Sequence, residues 1–133
     1  MKFNVYIVVD KIEKFYFEAI KEYEKRLSRY CDMKLIHIKK GEQLERKVNP
    51  NSFVVAVSTS GKSISSEELA FKIDHWALTG KSDISVVIGS NDTLHNEKLT
   101  LSQMEMDLGL KTTILFEQVY RAYRIINNHP YHK

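Results

Sequence analysis

The densest group of chemically able side chains lies between Glu117 and Lys133. His129-Pro130-Tyr131-His132-Lys133 sets two imidazoles, a phenol and an ammonium side by side, and Arg121 and Arg124 precede them. Imidazole, guanidinium and ammonium groups hold phosphates or move protons, and a phenol ring stacks on an unpaired base. The same residues also suit a tail folded back on its own core, since terminal aromatics that dock on nothing fray. Composition leaves both readings open.

Three further stretches could meet a ligand: Val57–Lys62, Ile88–Thr93 and Leu101–Gly109. Each follows a run that reads as a β-strand, and parallel sheets bind ligands beyond the carboxyl ends of their strands. Gly89 comes directly after Val86-Val87-Ile88. A glycine there is either a plain turn or a place where bare backbone lies against a ligand. The chain has neither GxGxxG nor a Walker loop, and Ser60-Gly61-Lys62 lacks the upstream glycine of a phosphate loop. His37, His75 and His95 are dispersed and no metal site is expected. No nucleophile elbow or triad spacing appears.

The elements that must position these residues alternate. Lys2–Val9, Met33–Ile38, Phe53–Val57 and Ile84–Ile88 are apolar and β-rich, and Lys98–Ser102 alternates Leu99 and Leu101 with polar residues as a fifth strand. Between them Ile12–Tyr30 carries a helical stripe (Phe15, Ala19, Tyr23 and Leu27, widened by Ile12, Tyr16 and Ile20). Residues 39–51 are polar, with room for one helical turn around Glu45. Ser65-x-x-Glu68 is a capping box that opens a helix running through Ala77 and closed by Gly80. Thr112–Asn127 forms the last helix. This alternation predicts one α/β domain over residues 1–133, a parallel sheet with helices on both faces.

The chain has 133 residues, 43% hydrophobic and 28% charged, with net charge +3 and pI near 8.9. A mildly basic balance is compatible with an RNA partner. No stretch is long and apolar enough to span a bilayer. One cysteine, Cys31, and no signal pattern point to a reducing cytoplasm.

Several blocks together resemble the ribosomal large-subunit methyltransferase H family of the SPOUT class, over the whole chain. They are Ala19-Ile20-x-x-Tyr23-Glu24-Lys25-Arg26-Leu27, Gly61-Lys62 with Ser65 to Ala70, and Val87-Ile88-Gly89. Leu101-Ser102-Gln103-Met104 and Glu117 to Ile125, ending in Pro130-Tyr131-His132-Lys133, complete them; the last block is the specific one. The resemblance implies a homodimer whose C-terminal third threads a trefoil knot. It also implies S-adenosylmethionine as cofactor and N3 of a pseudouridine in helix 69 of 23S rRNA as target. Cofactor contacts would fall on Val57, Gly89, Leu101, Ser102, Gln103, Met104, Glu105 and Met106. Arg121, Tyr131 and His132 would serve the reaction, across the dimer interface. The chain departs from the family where Ile-Gly-Gly and a following Gly-Leu give way to Ile88-Gly89-Ser90-Asn91-Asp92-Thr93-Leu94. It departs again where Thr-Phe/Leu-Pro-His becomes Glu105-Met106-Asp107-Leu108, and it is shorter around Lys40–Lys47 and between His95 and Leu101. A weak or inactive paralogue, a dimeric module that binds rRNA or the ribosome, is the alternative expectation.

Overall fold

A computed structural model describes residues 1–90 and 94–131. Five short β-rich runs form strands: β1 (Lys2–Val8), β2 (Asp32–Ile38), β3 (Phe53–Val57), β4 (Asp83–Ile88) and β5 (Glu97–Leu99). All pair in parallel, in the order β2-β1-β4-β3-β5. The helices are α1 (Lys14–Leu27), α2 (Ser66–Leu78) and α3 (Leu108–Ile126). The residue-39–51 loop does hold one turn, a 3-10 turn at Leu44–Arg46.

The two crossovers with helices, β1–α1–β2 and β3–α2–β4, step in the same direction along the sheet. Right-handed connections then place α1 and α2 on the same face. Helix α3 packs between them, and one core joins Ile20 and Leu27 of α1, Ile73 and Trp76 of α2, and Leu115, Phe116 and Val119 of α3 to Phe3, Val5, Val55, Ile84 and Val86. Among the described residues the other face carries no α-helix. Its Tyr6, Ile38 and Val87 are covered by the segment around Leu44 and Val48, which the Tyr6 hydroxyl ties down by donating to Lys47 O (3.1 Å). The expectation of helices on both faces is therefore corrected. The continuous apolar runs arose because one irregular segment, not a helix layer, buries the second side.

Three elements also shift by more than one residue. Helix α1 is shorter than Ile12–Tyr30, and its expected stripe is only partly buried: Ile20 and Leu27 are, while Phe15 is 62% exposed beside exposed Phe17. Strand β5 begins at Glu97 and stops at Leu99, because Thr100 turns its hydroxyl to Ser60 O (2.8 Å) instead of continuing the ladder. Helix α3 starts at Leu108, four residues earlier than expected. Asp107 caps it by accepting from the amides of Gly109 (2.8 Å) and Leu110 (3.3 Å). Helix α2 is as expected: the reciprocal Ser65–Glu68 box opens it, and it ends at Leu78 with Gly80 closing it at φ +80°.

Candidate functional site

At the carboxyl ends of β3 and β4 the chain leaves a cleft of about 230 Å³ lined by Val57, Ser58, Thr59, Gly89, Glu105, Leu108 and Lys111. A second hollow of about 290 Å³ adjoins it through Val57 and Ser58, with Ser60, Ser90, His95 and Lys98 on its walls. Each wall has a local cause. Gly89 ends β4 at φ +91°, and a Cβ there would stand 2.5 Å from Val8 O and 3.0 Å from Leu108 Cδ1. Only glycine lets the strand turn this close to β1 and α3. The segment after β5 is lashed to the loop after β3: Ser58 N donates to Leu99 O (2.9 Å), Ile64 N to Thr100 O (3.4 Å) and Gln103 Nε2 to Gly61 O (2.8 Å). Thr59 Oγ1 then donates to Glu105 Oε1 (3.3 Å), which holds that carboxylate over the cleft.

Of the residues singled out in sequence, Val57, Gly89 and Glu105 come together here. Ser102 and Gln103 shape the loop, the first by accepting from Met104 N (3.1 Å). Met106 is half-buried and Met104 is 75% exposed. Leu101 faces elsewhere, into a hollow between α2 and α3 with Ile64, Leu69 and Ile114. Sequence reasoning missed Lys111, which is 8% exposed on the cleft wall. The signal was its place four residues before Leu115 and eight before Val119, on the buried stripe of α3.

The tail forms a second cluster. Helix α3 ends with Asn128 at φ +55°, where Asn128 N donates to Ile125 O (3.1 Å) and His129 N to Arg124 O (2.8 Å). This is a Schellman reversal with asparagine in the left-handed position. It turns His129 onto Tyr30, whose hydroxyl lies 2.6 Å from His129 Nδ1 and accepts from Arg124 Nη1 (3.1 Å). Arg124 Nη2 reaches Pro130 O (2.9 Å). Tyr131 then packs edge-on against Tyr120 (5.0 Å between centroids), under the Arg121 guanidinium (4.8 Å), and donates to Glu117 Oε2 (3.2 Å). Arg121 Nε binds the same carboxylate oxygen at 3.3 Å. Burial, with the hydrogen bonds to Tyr23 and Glu117, pushes the Tyr131 phenol up to about 12, so it keeps its proton at neutral pH. As far as Tyr131 the tail docks on its own core; His132 and Lys133 lie outside the described residues. Burial holds the neighbouring Cys31 thiol up at about 11, which makes it a packing residue.

Tyr30→Phe tests this docking. The ring still stacks on Tyr123, but Arg124 and His129 lose a shared partner worth about 1 kcal/mol. Hydrogen exchange of amides 128–131 is expected to quicken roughly fivefold to tenfold, with β1 unchanged; equal protection in both proteins would contradict the docking.

The cleft and the tail cluster do not meet. Lys111 and Arg121 stand ten residues apart on one helix, which separates them by about 15 Å. Among the described residues no group of three or more His, Cys, Asp or Glu is placed to hold a metal, and no helix is long and apolar enough to cross a membrane.

Comparison with known proteins gives this arrangement a lineage. A family model described as "Predicted SPOUT methyltransferase" matches residues 1–132. The protein named ribosomal RNA large subunit methyltransferase H 1 from Thermoanaerobacter sp. (strain X514) is 50% identical over 133 residues, covering all of both chains. Ribosomal RNA large subunit methyltransferase H of Bacillus pumilus (strain SAFR-032) is 40% identical over 154 residues, 96% of this chain and 97% of that one. The short form is thus shared with the first relative and not with the second. A solved structure, a probable methylase family protein from Haemophilus influenzae Rd KW20, superposes with TM-score 0.60 at 12% identity over 98% of this chain and 70% of that one, and shows a like fold. The parallel sheet, the glycine-turned cleft and these end-to-end matches place the chain in the SPOUT methyltransferase family, among the relatives named ribosomal RNA large subunit methyltransferase H.

Proposed function

We propose that the protein transfers a methyl group from S-adenosylmethionine to large-subunit ribosomal RNA, at N3 of a pseudouridine in helix 69, and works as a homodimer. The observation that carries this reading is the 50% identity, without a gap in coverage, to a relative named for rRNA large-subunit methylation. The residues present fit the cofactor. Two adjoining hollows share Val57 and Ser58, and together they approach the few hundred Å³ typical of small-molecule sites. The departures from the family pattern have structural employment: Asp107 caps α3, Leu108 packs on Gly89, and Glu105 is held by Thr59.

When bound, S-adenosylmethionine supplies an activated methyl on sulfonium sulfur, so the protein mainly has to align donor and acceptor. Backbone at Val57, Gly89 and 101–106 would hold the nucleoside. The imide N3 must shed a proton to attack, and a cation beside it stabilises the anion. Arg121 suits that role. Tyr131, protonated near neutrality, suits stacking or hydrogen-bond donation and not proton removal. His132 is retained as a candidate proton carrier.

The separation of about 15 Å along α3 supports a composite site, in which the tail of one copy serves the cleft of the other. Exposed Phe15, Phe17 and Leu110 border the cleft end of α1 and α3, where Gly109 packs on Tyr16, and offer the apolar surface a second copy would cover. A C-terminal third threaded into a trefoil knot belongs to the same reading, and the hydrogen bonds that hold 99–103 against 58–64 are compatible with it. The test is methyl transfer from labelled S-adenosylmethionine to ribosomes lacking the modification, with the modified nucleotide located by mass spectrometry. Label in helix 69 is expected. Cofactor binding without transfer to ribosomes or free rRNA would favour the non-enzymatic module.

A further inference from the structure

Lys111 has a physical problem that the rest of the fold does not solve. It is 8% exposed, at the close of the first turn of α3, with its amide bonded to Asp107 O (2.9 Å). Among the described residues its ammonium has no hydrogen-bond or ion-pair partner, yet it is not sealed in: the side chain lines the cleft at β3 and β4. Burying an ammonium without an anion is costly. Neighbouring acids do not relieve it. Asp107 is committed to the amides of Gly109 and Leu110, and Glu105 to Thr59, with no ion pair to Lys111. The cleft therefore presents a largely buried lysine without an anionic partner on one wall and a carboxylate on another.

We propose that Lys111 receives the α-carboxylate of the methionyl end of S-adenosylmethionine, with Glu105 facing its ammonium; this rests on the cofactor reading above. Charge decides the orientation. The sulfonium and the amino group would both be repelled by Lys111, and the α-carboxylate is the cofactor's one anionic group. An RNA phosphate is the competing anion, and Lys111, 8% exposed on the wall of a cleft of about 230 Å³, favours a small carboxylate over a polymer backbone.

The probes are S-adenosylhomocysteine, which keeps the amino-acid end, and 5′-methylthioadenosine, which lacks it. Each is titrated calorimetrically into wild type, Lys111→Met and Lys111→Arg, with folding checked by circular dichroism. Lys111→Met is expected to weaken S-adenosylhomocysteine by about tenfold or more and methylthioadenosine by less than about twofold, with Lys111→Arg close to wild type. Equal weakening of both probes in Lys111→Met, or of neither, overturns the assignment. Wild type binding both probes equally overturns it while leaving the cofactor reading intact. Wild type binding neither overturns the cofactor reading and this inference with it.

Discussion

Gly89→Ala is expected to abolish cofactor binding and to lower the melting temperature by roughly 10 °C. The new Cβ would lie 2.5 Å from Val8 O, a backbone atom within a paired strand that cannot move aside, and 3.0 Å from Leu108 Cδ1. Alanine at φ +91° is strained in any surroundings. Strain of about 1–3 kcal/mol and overpacking of similar size together give about 3 kcal/mol, or roughly 10 °C for a domain of this length. Relief comes only by moving the β4 turn away from β1 and α3, and that turn forms the cleft floor. Thermal melting and calorimetry with S-adenosylmethionine check both parts; a variant that melts and binds as wild type would show that the turn is not so constrained.

Arg121→Ala is expected to have the opposite signature. Its guanidinium lies over the Tyr131 ring and on Glu117 at the far end of α3 from the cleft. Cofactor affinity should be unchanged, and stability should fall by no more than about 1 kcal/mol, since a partly exposed i,i+4 pair contributes little. Methyl transfer should fall about a hundredfold or more, the usual consequence of removing a group that stabilises developing charge. Single-turnover rates at saturating cofactor separate this from a binding defect. Arg121→Lys should recover only part of the rate, because an ammonium cannot lie flat on the ring while engaging Glu117.

These two variants mark where the sequence was legible. Strands β1 to β4 could be read because their apolar runs are short and bounded by polar turns, β5 was displaced because Glu97-Lys98-Leu99 is no such run, and the Ser65–Glu68 box located α2 by hydrogen-bond chemistry alone. The one-sided helix layer could not be read. Tyr6, Ile38 and Val87 look the same to a hydropathy pattern whether a helix or the Leu44 segment covers them. The early start of α3 was hidden by Gly109, a helix breaker that is tolerated because Tyr16 occupies the space of its side chain, 2.8 Å from where a Cβ would sit. At the cleft, the resemblance named Val57, Gly89 and Glu105, which line it, and Leu101, whose place is in the hollow between α2 and α3. Lys111 was overlooked because a lysine reads as surface until its stripe is known to be buried. The docking of the tail through Tyr30 needed the fold itself, since Tyr30 and His129 are 99 residues apart in sequence.

The central claim is that cleft and tail belong to different copies of one working site. It is tested by mixing Gly89→Ala, assayed below its lowered melting temperature, with Arg121→Ala after confirmed subunit exchange, and measuring methyl transfer to unmodified ribosomes. Each parent should be nearly inactive. In random exchange half the dimers are mixed, and each of those pairs one intact cleft with one intact tail, so about a quarter of wild-type activity should return. A mixture as inactive as its parents, with mixed dimers demonstrably present, would contradict the account.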